Sequence, residues 1–153
     1  MGRLPRFLAA FVFVAVLAAS AQAADSVTTK TLRNTGGTFG SNYAFIFSNA
    51  SDGTGESAVV KVSTAALQGT PTKLKITKLK WSTQGMGVTL LFDANTDDKA
   101  ISLFGDGEYD ADKQGGPLVD PQSTGHTGNI LFTTVGHSAG DGYTIYLEAK
   151  ATD

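Results

Sequence analysis

After residue 24 the chain alternates apolar and polar positions far more than it repeats them at helical spacing. The clearest case comes last. Tyr143, Ile145, Leu147 and Ala149 alternate with Thr144, Tyr146, Glu148 and Lys150. A period of two turns one face of a strand to a core and the other to water. Residues 129–135 form a mostly apolar run before it, and glycine-rich 136–140 between the two reads as the turn of a terminal β-hairpin. Similar runs predict strands over 27–33 (VTTKTLR), 43–48 (YAFIFS), 57–63 (SAVVKVS), 73–83, 88–92 (VTLLF) and 99–104 (KAISLF). A turn is expected at 85–87, and a single helical turn at 64–69 ahead of Pro71. Within 73–83 the apolar phase switches, from Leu74 and Ile76 to Leu79 and Trp81. A strand that keeps one buried face can do this only through a bulge, expected near Thr77 and Lys78.

The stretch 105–128 carries two prolines and many glycines and aspartates, and it predicts a long loop with a short strand near Glu108 and Tyr109. About eight strands in one domain, residues 24–153, give an all-β class. The expected architecture is a single antiparallel two-sheet sandwich of jelly-roll type.

Residues 1–23 stand apart from this pattern. Arg3 and Arg6 precede an unbroken apolar run over 7–19, and Ala21-Gln22-Ala23 supplies an A-x-A site. That is the layout of a cleaved secretory signal peptide, and 13 apolar residues are short for a membrane span. The reading is a secreted or periplasmic protein. Loss of Arg3 and Arg6 leaves ten basic residues against fourteen acidic, a formal charge of −4. An acidic surface has no bulk attraction for nucleic acid or anionic lipid, so neither is an expected partner. Lys73, Lys75, Lys78 and Lys80 read as a solvated face or guarded edge. There is no cysteine, so a core, an oligomer or a metal must hold the domain together without disulfides.

Candidate chemistry is sparse. Gly136-His137-Ser138-Ala139-Gly140 fits G-x-S-x-G, but that motif needs a helix after the serine, and here a strand pattern follows. No histidine lies beyond Ser138 to complete the usual order, so no catalytic residue is assigned. His126 and His137 flank the ends of the final strands without zinc-site spacing. Glycine-rich 34–40 lacks the G-K-[ST] ending of a phosphate loop. Calcium is the better metal candidate. Asp93, Asn95, Asp97 and Asp98 space oxygen donors like the start of an EF-hand loop, although Asp98 stands where glycine is needed and Phe104 where glutamate is. Asp106 and Glu108, with Asp110 and Asp112, form a second acidic set that shares a face if extended. The other reading of both sets is polar turns that stabilise their own backbone. Trp81, Tyr109, Tyr143 and Tyr146 could present a sugar platform, but Trp81 and Tyr143 are in phase with core aliphatics.

Four stretches carry a resemblance: Leu90-Leu91-Phe92-Asp93-Ala94-Asn95-Thr96-Asp97, Phe104-Gly105-Asp106-Gly107-Glu108-Tyr109-Asp110, Gly115-Gly116-Pro117-Leu118, and Thr127 to Thr134 followed by Gly140 to Ile145. Through these the chain resembles small β-sandwich virion proteins of tailed bacteriophages, of the head-decoration or capsid-stabilising kind. The resemblance implies a non-enzymatic protein bound to the surface of a larger assembly or to copies of itself, at a virion surface, with no cofactor. An export signal departs from that pattern. The alternative reading is a secreted, adhesin-like module that binds carbohydrate or depends on calcium.

Overall fold

The computed structural model describes residues 26–36 and 41–152, and the signal peptide expected at 1–23 lies outside them. The chain is all-β. Its strands are β1 (Ser26–Thr35), β2 (Asn42–Ala50), β3 (Val59–Val62), β4 (Leu74–Phe92), β5 (Asp98–Asp110), β6 (Leu118–Val119), β7 (Ile130–Val135) and β8 (Gly142–Ala151). One short 3-10 turn, Thr64–Ala66, occupies the place where a helical turn was expected. All eight strands join one antiparallel sheet, in the order β1-β2-β8-β4-β7-β3, with β5 and β6 also on β4. The sheet is nearly closed into a barrel.

β4 organises the rest. Its first half pairs with β8, from Leu74 opposite Ala151 to Gln84 opposite Gly142. Its second half pairs with β7, from Gly87 opposite Val135 to Phe92 opposite Ile130. β7 and β8 therefore lie end to end along one edge of β4 and run the same way. They do not form the expected hairpin. Residues 136–141 loop out, and the chain then resumes its direction instead of reversing. One position further out, β2 and β3 repeat the arrangement, β2 pairing with β8 and β3 with β7. Residues 51–58 loop out between them. The two loops are tied together: the Ser51 N–H donates to the Asp141 carbonyl at 2.8 Å, and the Gly140 N–H to the Ser51 carbonyl at 2.9 Å.

The expected turn at 85–87 is likewise a bend within one strand. Four residues of β4, 83–86, stand opposite Gly105 alone on β5, and pairing resumes on both sides. Gly85 and Gly105 have φ of 74° and 60°, a conformation that strains other residues. Each long ribbon thus bends along one line, and the sheet folds over its own core. The phase switch expected at Thr77 and Lys78 is present as a register shift between Ile76 and Lys78 against β8. It keeps Leu74, Ile76 and Leu79 all fully buried.

Aromatic rings join the two halves across the core. Phe47 of β2 meets Phe132 of β7 edge-on at 5.0 Å, and Phe132 meets Tyr143 of β8 at 6.1 Å. Leu90, Leu103, Ile130, Ile145 and Leu147 fill the space around them. β5 is longer than expected. It continues through Gly105 to Asp110, so the predicted short strand at Glu108 and Tyr109 is its second half. β1 lies one strand beyond β2, and from Val27 to Thr35 each of its residues is exposed.

Candidate functional site

The bend presents the most exposed apolar surface. Gly87 sits between Phe104 of β5 and Val135 of β7 in one cross-strand row. Its neighbour Val88 faces the core, so this row faces out. Phe104 is 61% exposed and Val135 46%. The Phe104 ring lies over Gly87, where a Cβ would stand 2.2 Å from it. Together with Thr83, Met86 and Gly136 they line an open groove of about 410 Å³. On the far edge, Val59 and Val60 of β3 are also exposed. Apolar side chains displayed on an outer sheet face favour contact with another surface.

Behind the bend lies a buried polar cluster that the sequence pattern does not signal. Lys61 is the extra residue at a register shift between Val60 and Val62 of β3. Its ammonium turns inward and pairs with Glu56, the two side chains being 3% and 5% exposed. Tyr143 donates its hydroxyl proton to Glu56 Oε2 at 2.8 Å. The Glu56 N–H donates to Thr134 Oγ1 at 2.7 Å, and the Thr134 N–H returns a bond to the Glu56 carbonyl at 3.0 Å. Lys61 also lies 5.9 Å from the centre of the Phe132 ring. The cluster is shut away from solvent: the ion pair ties the 51–58 loop to β3, and the Thr134 and Tyr143 hydrogen bonds tie it to β7 and β8.

The predicted calcium residues do not converge. Asp93, Asn95 and Asp97 lie in or beside the β4–β5 turn, and Asp98 opens β5. Asp106 and Glu108 stand in the second half of β5, opposite Ser82 and Lys80. Seven residues of strand separate Asp98 from Asp106, on the order of 25 Å along the chain. Within the turn, Asp93 Oδ2 accepts from the Thr127 hydroxyl at 2.6 Å and from the Asn129 side-chain amide at 3.1 Å. Asp97 Oδ1 accepts the Ala94 N–H at 3.2 Å. Asp93 fastens the turn to the 120–129 loop and Asp97 closes the turn on itself, as in the polar-turn reading. Asn95, Thr96, Asp98, Ser123 and Thr124 line a polar groove of about 380 Å³ there, and Asp98 Oδ2 is buried without a hydrogen-bond partner. Among the described residues, no group of three or more His, Cys, Asp or Glu side chains is placed to hold a metal ion.

Asp110 closes the second acidic row. Burial pushes its carboxyl up, but the Asp112 N–H and the ammonium groups of Lys78 and Lys113 outweigh that and hold its pKa below the ordinary carboxylate value. Tyr146, on the outer face, is pushed up to about 12 by burial and by the Glu148 carboxylate to which its hydroxyl donates, Arg33 opposing.

Ser138 is exposed in the 136–141 loop, where its N–H donates to Asp141 Oδ2 at 2.6 Å, and strand β8 follows. His126 precedes β7 and His137 follows it, so a six-residue strand, about 20 Å long, keeps them apart. His137 Nδ1 lies 3.3 Å from Thr134 Oγ1 at the bend. Tyr143 is core, and Trp81 is half-buried with its indole N–H on the Phe104 carbonyl at 3.3 Å. Among the described residues no helix is long and apolar enough to cross a membrane. No protein-family model, curated protein or solved structure matches the chain.

Proposed function

We propose that the chain is an exported, non-enzymatic structural protein that works by associating with the surface of a larger assembly, in the manner of a phage capsid decoration protein. The observation that carries this reading is the Phe104–Gly87–Val135 row on the outside of the bend. An aromatic ring 61% exposed over a glycine, beside a second exposed apolar residue, is a ready contact for a complementary surface. The folded sheet, read as a jelly-roll-like sandwich, supplies a stiff platform for it. Residues 1–23 are read as its export signal, which places it in the periplasm, the medium or on a particle surface.

Fractionation of the producing cells tests this. The protein is expected with the envelope or with purified particles, and the variant Phe104→Ser is expected in the soluble fraction with its fold intact. A wild-type protein that is wholly soluble and bound to no such fraction overturns the reading. A second reading, a secreted module dependent on calcium or carbohydrate, is favoured by the unpartnered Asp98 oxygen in the 93–98 and 120–129 groove. Melting in calcium against chelator, together with a glycan array, separates the two. A melting point that rises with calcium supports the second.

A further inference from the structure

Two of the sheet's free edges carry opposite charge. Among the described residues β1 pairs only with β2, and the second half of β5 only with β4. On β1 a register shift between Thr31 and Arg33 makes Leu32 the extra residue. Lys30 and Arg33, opposite Ile46 and Ala44, therefore stand side by side on one face. On β5, Glu108 and Asp110 stand at the same two-step spacing, opposite Lys80 and Lys78. Both pairs lie in the same two rows across the outer face. One row runs Lys30, Ile46, Tyr146, Lys80, Glu108, and the other Arg33, Ala44, Glu148, Lys78, Asp110. Each row begins on a cation and ends on an anion, with Lys80 and Lys78 next to the anion.

We propose that the chain associates with copies of itself by pairing β1 of one copy with the second half of β5 of the next. The two strands run in the same direction within the sheet, so the new pair is parallel, with Lys30 beside Glu108 and Arg33 beside Asp110. Like edges exclude each other: β1 on β1 opposes cations, and β5 on β5 opposes carboxylates. Charged edges ordinarily keep copies apart; here their opposite signs favour one head-to-tail joint. Lys113 also approaches Glu108 at 3.9 Å and Asp110 at 4.0 Å, but its side chain is 69% exposed and free to move aside. The joint uses unlike surfaces, so copies form rings or open filaments, not twofold dimers. This deepens the association role proposed above by naming the chain's own partner edge.

The test is sedimentation velocity of the purified protein at low and high salt, with Lys30→Glu, Glu108→Lys, their mixture and the double variant. Both side chains are exposed, and circular dichroism confirms that each variant folds. Wild type is expected to assemble at low salt and dissociate as salt screens the pair. Each single variant is expected to weaken assembly by about tenfold or more, and the mixture and the double swap to restore it. A wild type that stays monomeric at low salt and high concentration overturns the proposal, as does assembly that neither single variant weakens. A monomer that still binds envelope or particles would sink this inference alone, whereas a self-assembling protein that binds neither would sink the surface role alone.

Discussion

Glu56 and Lys61 show how much a single buried pair can matter. Removing one partner leaves a charge in the core with only neutral groups around it, which costs about 3–5 kcal/mol. Lys61→Met is therefore expected to lower stability by about that amount in urea unfolding, and Glu56→Leu with Lys61→Met by clearly less than the sum of the two single changes. Additive losses would show that the two groups do not interact. Tyr146 gives a prediction in pH. Its folded pKa of about 12 lies above the usual 10 because the half-buried phenol is partly desolvated and faces Glu148. That contribution to stability is complete below pH 10 and is lost as pH rises towards 12, since the unfolded chain releases the proton first. Phenolate absorbance should show a late-titrating component that is lost in Tyr146→Phe. Asp110 has the opposite sign. Its lowered pKa stabilises above the unfolded value and is lost as pH falls through the folded one, so Asp110→Asn should flatten the acid limb of the stability curve.

Elements were legible wherever side-chain period settled the outcome. The alternation of Tyr143, Ile145, Leu147 and Ala149 became β8 with that face buried, and the phase switch after Ile76 became a bulge. Glycine was harder to read. Gly85 and Gly105 bend strands that continue, and 136–140 ends in a loop between collinear strands. A turn and a kink demand the same backbone freedom, and only the partner strand decides which forms. The Glu56–Lys61 pair was invisible for a related reason: a lysine in VVKV reads as outward until a bulge turns it in. The acidic stretches were found, but one long strand holds them apart. Gly128 tests the packing of the 120–129 loop, to which Asp93 is tied. It has φ of 77°, and a Cβ there would stand 2.4 Å from the Thr72 carbonyl oxygen, a backbone atom with little room to move. Gly128→Ala is expected to cost about 1–3 kcal/mol or more and to lower the melting point measurably.

The described residues form one sheet folded over its core, with the 51–58 and 136–141 loops tied together at the bend. Its Glu56–Lys61 cluster serves the fold, and its outer face displays an apolar row and two oppositely charged edges. That division fits a protein that works through what it touches. Phe104 contributes little to the core, so Phe104→Ser is expected to leave stability within about 0.5 kcal/mol. The most direct measurement is co-sedimentation of purified protein with the isolated envelope or particle fraction, wild type against Phe104→Ser. Wild type is expected to pellet saturably and the variant to bind at least about tenfold more weakly, by the weight that a central aromatic anchor carries. Wild-type protein that remains in the supernatant with every such fraction would contradict the surface role.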